Sequence, residues 1–132
     1  MKFKAFTLIL LSFFLLQISA CGQAQKAEKS VSLIQAKELD QIKSEMVIID
    51  VRTPEEYAEG HLENAVNINY YDDDFKEKLS DLDKSKKVVV YCKLGGRSAK
   101  AAAVMDEMGF EEVYDLDGGF TSWKDEDLEV KH

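Results

Sequence analysis

Short apolar runs rich in β-branched residues alternate along this chain with stretches of helical spacing, and that alternation limits the folds open to it more than any other feature. Val88-Val89-Val90-Tyr91 is the strongest such run, too continuous for a strand with one wet face and suited to a strand covered on both. Met46-Val47-Ile48-Ile49 is a second and ends at Asp50-Val51-Arg52. Ala65 to Ile68 and Val113-Tyr114-Asp115 supply two shorter ones. Between them lie helical segments. Ser32 to Ile42 carries Leu33, Ala36, Leu39 and Ile42 at helical spacing. Thr53-Pro54-Glu55-Glu56 is a helix start, with Thr53 to cap, Pro54 at the first helical position and Glu56 to close a capping box; Gly60 ends that helix. Asp72 to Leu82 reads as a short helix, Ser98 to Met108 as an alanine-rich helix ended by Gly109, and Gly118-Gly119 opens a last helical turn through Trp123. Strands alternating with helices imply an α/β fold, a mainly parallel sheet with helices on both faces. Ligands of such sheets sit beyond the carboxyl ends of the strands, and Cys92 follows the last residue of the best strand.

The first thirty residues follow different rules. Met1 to Lys4 holds two lysines and no acid, Ala5 to Leu16 is almost wholly apolar, and Ile18-Ser19-Ala20 brings small residues up to Cys21. This is the order of a secretory signal, and the apolar run is shorter than the roughly 20 residues a membrane span needs. Ile18-Ser19-Ala20-Cys21 also resembles the bacterial lipobox, in which the cysteine is lipidated. The expectation is a lipoprotein signal peptide over 1–20, a lipidated Cys21 with a flexible tether over 21–31, and one folded domain over 32–132. The rival reading is an uncleaved anchor. Either places the domain outside the cytoplasm, held at a bacterial membrane on its periplasmic side or at the cell surface.

Loss of Lys2 and Lys4 with the signal takes the net charge from -8 to -10. So acidic a surface repels phosphate backbones and argues against a nucleic-acid partner. With Cys21 given to the lipid, Cys92 is the remaining cysteine, which leaves neither an internal disulfide nor a cysteine-rich metal site, and no residues have zinc or iron ligand spacing. No cofactor is expected.

Cys92-Lys93-Leu94-Gly95-Gly96-Arg97-Ser98 links the strongest strand to the alanine-rich helix. A tight loop entering a helix start aims several backbone N–H groups at one spot, and Gly95 and Gly96 permit the backbone angles this needs. Those amides, with the charges of Lys93 and Arg97, favour thiolate over thiol and draw anions to the mouth. Cys92 should therefore be acidic, nucleophilic and within reach of solvent. It needs no histidine as base; His61 and His132 are the two in the chain, and His61 reads as structural.

These residues carry a resemblance. Asp50-Val51-Arg52, Pro54-Glu55-Glu56-Tyr57 and Gly60-His61-Leu62-Glu63-Asn64-Ala65 resemble the first signature of the rhodanese-like family. Cys92 to Ser98 is similar to its active loop, and Asp117-Gly118-Gly119-Phe120 with Trp123 to its C-terminal signature. The match runs in order from about Ser32 to Trp123. It implies a five-stranded, largely parallel α/β domain that moves sulfane sulfur from a small anionic donor such as thiosulfate to cyanide or a thiol, including a protein thiol, through a Cys92 persulfide. Four residues separate Cys92 from Arg97. Phosphatases with a comparable cysteine loop have a longer one, so the shorter ring points to a persulfide rather than a phosphate.

Further roles follow from the resemblance. Asp50 would organise the loop, and Arg52 and Glu56 are spaced to form a structural ion pair. Arg97 would either touch substrate or brace the loop through a carboxylate. Lys93 stands where the family often has arginine and loses the bidentate grip on an oxyanion. Phe120 and Trp123 belong to the core or shape the rim of the site. The alternative is a non-catalytic module that uses the same fold to hold a partner protein at the membrane. A self-contained thiol oxidoreductase would need a second, resolving cysteine.

Overall fold

The computed structural model describes residues 31–132. The expected signal segment, the lipidated Cys21 and the tether up to Ser30 lie outside the described residues. The elements follow as β1 (Val31–Ile34), α1 (Ala36–Ile42), a 3-10 turn (Lys43–Glu45), β2 (Val47–Asp50), α2 (Pro54–Ala58), β3 (Val66–Asn67), α3 (Phe75–Ser80), β4 (Lys87–Tyr91), α4 (Gly96–Glu107), β5 (Glu112–Leu116) and α5 (Gly119–Asp125). The five strands form one sheet in the order β1-β5-β4-β2-β3, and every pairing is parallel.

The central strand explains its own sequence. Val88 and Val90 pack on one face with Phe75 and Leu79 of α3 and Ala101, Ala102 and Met105 of α4. Val89 and Tyr91 pack on the other with Leu39 of α1 and Phe120 and Trp123 of α5. Both faces are covered, so an unbroken apolar run is required and all four residues are fully buried. Each such side chain contributes about 1.5–3 kcal/mol through burial.

The start of the domain corrects the sequence reading. Val31–Ile34 is a strand, not the opening turn of a helix, and Val31, assigned to the tether, pairs with Val113. Helical spacing over Leu33, Ala36, Leu39 and Ile42 was misleading at its first member: Leu33 is 66% exposed on the sheet's outer strand. The open edge of β5 takes up these residues. Pairing from Val31↔Val113 to Ile34↔Leu116 satisfies their backbone groups, an advantage invisible to local periodicity. Helix begins only at Ala36, after Gln35 in extended conformation.

The other elements lie where the sequence put them, with β4, β5 and α5 running one or two residues longer than read and β3 shorter. Thr53 and Glu56 form the capping box and Pro54 opens α2. The helix expected over Asp72 to Leu82 contracts to α3.

Candidate active site

The Cys92 loop leaves β4 and turns into α4 at Gly95, whose φ of +120° suits glycine and poorly suits any other residue. The Gly95 N–H donates to Cys92 Sγ at 3.0 Å, and Cys92 Sγ lies 3.5 Å from Ser98 Oγ. Burial pushes the Cys92 thiol up. The Ser98 hydroxyl and the amides of Ser98, Gly95 and Leu94 pull it down by more, so it lies below its ordinary value. Hydrogen bonds, rather than the Lys93 and Arg97 charges, make the largest of these contributions.

One expectation for the sulfur needs correcting. Cys92 is 2% exposed rather than open to solvent, because the loop that supplies the amides also folds over it. The sulfur's access is through a surface pocket lined by Cys92 itself with Tyr71, Lys93, Leu94, Gly96, Arg97 and Lys100. Leu94 and Tyr71 are strongly exposed at this mouth, and Tyr71 had not been singled out in the sequence.

The supporting residues are paired differently from the expectation. Arg52 does not meet Glu56. Its guanidinium turns back onto Asp50, with Nε 3.0 Å from Oδ1 and Nη2 2.6 Å from Oδ2, and Nη2 also donates to the Gly60 carbonyl at 2.6 Å. Asp50 is fully buried and accepts in addition from the Tyr91 hydroxyl at 2.6 Å. A carboxylate with no access to water must find its donors among its neighbours, and Arg52, packed over the Phe120 ring at 4.1 Å, is one. Glu56 instead takes Arg97 in a bidentate pair at 2.7 and 2.9 Å. That pair holds the Glu56 carboxyl down at about 2 against the opposing effect of burial. Of the two roles open to Arg97, this geometry realises the brace through a carboxylate, and the guanidinium still lines the mouth beside Lys93.

A second contact fixes the loop from below. The Phe120 and Thr121 amides at the start of α5 donate to the carbonyls of Cys92 and Lys93 at 2.8 and 3.1 Å. The approach is so close that a Cβ on Gly119 would meet Cys92 O at 2.6 Å. The paired glycines are therefore a packing requirement as well as a helix start. Asp50, Arg52 and Tyr91 do not line the Cys92 pocket. Arg52 and Glu56 line an adjoining cleft with Lys93, Phe120 and Lys124. His61 stacks on Tyr57 at 3.8 Å, its Nδ1 lies 3.0 Å from the Tyr57 carbonyl, and it stands outside the Cys92 pocket.

Residues 33–126 match the model of the rhodanese-like domain. The chain belongs to the rhodanese-like domain family. Thiosulfate sulfurtransferase GlpE of Coxiella burnetii (strain RSA 331) is 41% identical over 96 residues, which cover 73% of this chain and 87% of the relative. Chloroplastic thiosulfate sulfurtransferase 16 of Arabidopsis thaliana is 37% identical over 93 residues, covering 63% of this chain and 78% of the relative. Among solved structures, a rhodanese-related protein of Thermoplasma volcanium superposes with a TM-score of 0.69 at 33% identity, covering 74% of this chain and 95% of that one. Such relatives support a rhodanese-type sulfurtransferase at the level of the family. With four residues between Cys92 and Arg97, the loop closes tightly enough for the Gly95 amide to reach the sulfur.

Proposed function

We propose that this rhodanese-like domain is a sulfurtransferase that carries sulfane sulfur on Cys92. The surroundings of that sulfur carry the reading: the Gly95 amide donates to it at 3.0 Å, and the Ser98 hydroxyl, 3.5 Å away, can turn to donate to a thiolate. The thiolate attacks the outer sulfur of an anionic donor such as thiosulfate. A new S–S bond forms, the donor's own S–S bond breaks, and sulfite leaves with the electron pair. Cyanide or a thiol, including a protein thiol, then attacks the outer sulfur of the persulfide, and Cys92 departs as thiolate. Transfer extends the reacting atom one sulfur further toward the mouth, which suits a nucleophile seated on a pocket floor. Lys93, exposed where the pocket and the adjoining cleft meet, supplies charge for an anionic donor.

Thiocyanate formation from thiosulfate and cyanide by the soluble domain tests the reading. The intact domain should turn over and Cys92→Ser should not; equal turnover would exclude the mechanism. Burial of Cys92 favours a second reading, a non-catalytic module that binds a protein partner. A domain that forms no persulfide yet captures one partner regardless of Cys92 would support that reading. The leader sequence carries a companion proposal: Cys21 is acylated and holds the domain at a bacterial membrane outside the cytoplasm. Palmitate labelling should be lost in Cys21→Ser, and undiminished labelling would contradict it.

A further inference from the structure

The cleft that adjoins the Cys92 pocket is left unused by the sulfur chemistry above. The two share Lys93, and the cleft, at about 370 Å³, falls within the range of small-molecule sites. Three of its lining side chains close over Gly60. A Cβ there would lie 2.8 Å from Val130 Cγ1, 3.4 Å from His132 Cε1 and 3.5 Å from Phe120 Cζ. The segment that carries Val130 and His132 is tied down on both sides of it. His61 and Lys131 exchange backbone N–H···O bonds of 2.9 Å in each direction, and Trp123 Nε1 donates to the Glu129 carbonyl at 2.9 Å. This side of the cleft is therefore a fixed wall.

The charges of the cleft do not cancel. Arg52 is taken by buried Asp50, and Glu56 by Arg97. Lys93 and Lys124 make no ion pair among the described residues, and both are exposed. Glu59 is the remaining acid of the lining, which leaves the two lysines in excess. The Lys124 ammonium stands 5.1 Å from the centre of the Phe120 ring. The Phe120 amide is the one that holds the Cys92 carbonyl at 2.8 Å, and Lys124 follows one turn later in α5, about 6 Å further along the helix. Thiosulfate attacked at its outer sulfur keeps its oxygens two bonds away, so its charge stays beside Lys93. A charge that reaches Lys124 belongs to a longer molecule.

We propose that the cleft receives the tail of the sulfur acceptor, and that this acceptor is a small thiol ending in a carboxylate. The proposal deepens the sulfurtransferase reading and rests on Cys92 carrying the sulfur. The thiol enters the Cys92 pocket, its methylene chain lies along Phe120 and Val130, and its carboxylate meets Lys124. Lys124 selects the acceptor and takes no part in the chemistry. The acceptor thiol gives its proton to water, and the resulting thiolate attacks the outer sulfur of the protonated Cys92 persulfide. A new S–S bond forms, and the bond from that sulfur to Cys92 breaks. The electron pair stays on Cys92 as thiolate, and the acceptor leaves as R–S–SH. No oxidant or reductant is consumed. A neutral tail of the same length fills the same space and gains nothing from the lysine.

Discharge of the preformed persulfide tests this on the full chain. The protein is loaded with thiosulfate, freed of excess donor and treated with one of two thiols. These are mercaptohexanoate, with thiol and carboxylate at opposite ends, and the corresponding mercaptohexanol, which matches it in length and differs in tail charge. Loss of the added sulfur is followed by mass spectrometry. The rate constant should be about fivefold higher for the acid than for the alcohol. Lys124→Gln should bring that ratio to about one, and Lys124→Arg should restore it. A ratio near one in the unaltered chain would overturn the proposal, as would a ratio that Lys124→Gln leaves unchanged. So would an equal fall in Lys100→Gln, a lysine of the Cys92 pocket outside the cleft, because the preference would then be one of general charge at the mouth. A chain that takes up no sulfur would sink the sulfurtransferase reading and this proposal with it. Normal uptake without preference for the acid sinks this proposal alone.

Discussion

Glu56 and Arg97, 41 residues apart in the chain, meet in a bidentate ion pair with contacts of 2.7 and 2.9 Å. The pair ties the first turn of α2 to the first turn of α4 and so pins one side of the Cys92 loop. The sequence pointed to a nearer partner for Glu56, Arg52, and the structure replaces it with Arg97. Buried Asp50 required Arg52 more strongly than half-buried Glu56 did.

Glu56→Gln should cost about 1 kcal/mol of stability near neutral pH, a range typical of partly exposed pairs. The effect should depend on pH with a definite sign. The folded-state value, about 2, lies below the ordinary 4.5. The contribution is therefore complete above the ordinary value and is lost as pH falls through that window. Denaturant titrations of both proteins should differ near neutrality and converge as pH approaches 2.

Gly119→Ala should disturb the loop directly. Its Cβ would meet the Cys92 carbonyl oxygen at 2.6 Å and the Lys93 carbonyl oxygen at 2.8 Å, at a φ of +60°. A loss of about 1–3 kcal/mol is expected, together with a large fall in sulfur transfer. Thermal melts and thiocyanate assays check the two effects separately.

Tyr91→Phe should destabilise with little effect on the sulfur. The hydroxyl donates to Asp50 Oδ2 and accepts from the Leu62 amide at 3.1 Å, so its removal leaves two buried groups short of a partner. About 1–3 kcal/mol is expected from denaturant unfolding, while Cys92 alkylation rates should stay close to those of the unaltered domain.

Lys93→Glu should raise the KM for thiosulfate by about tenfold and reduce the dependence on ionic strength, since an exposed cation at the mouth gives way to an anion. Lys93→Arg should lower that KM by restoring a planar, two-pronged donor. Steady-state kinetics at two salt concentrations separate these outcomes.

Much of the fold was legible because local and tertiary demands agreed. Val88 to Tyr91 could only be a doubly covered strand, and Thr53-Pro54-Glu55-Glu56 could only open a helix. The edge strand Val31–Ile34 was not legible: Leu33 fits a helical period with Ala36, and only the vacant side of β5 makes it a strand. The Cys92 loop was readable from its glycines and its place after β4. The depth of the sulfur was not, because it depends on how far the loop folds back.

Peptide mass spectrometry of the domain after incubation with thiosulfate tests the central claim most directly. One added sulfur atom on the Cys92 peptide, removable by cyanide and absent in Cys92→Ser, is the predicted result. An unmodified Cys92 under conditions where iodoacetamide alkylates it would contradict the account, because a reactive thiolate would then be present and still not take up sulfur.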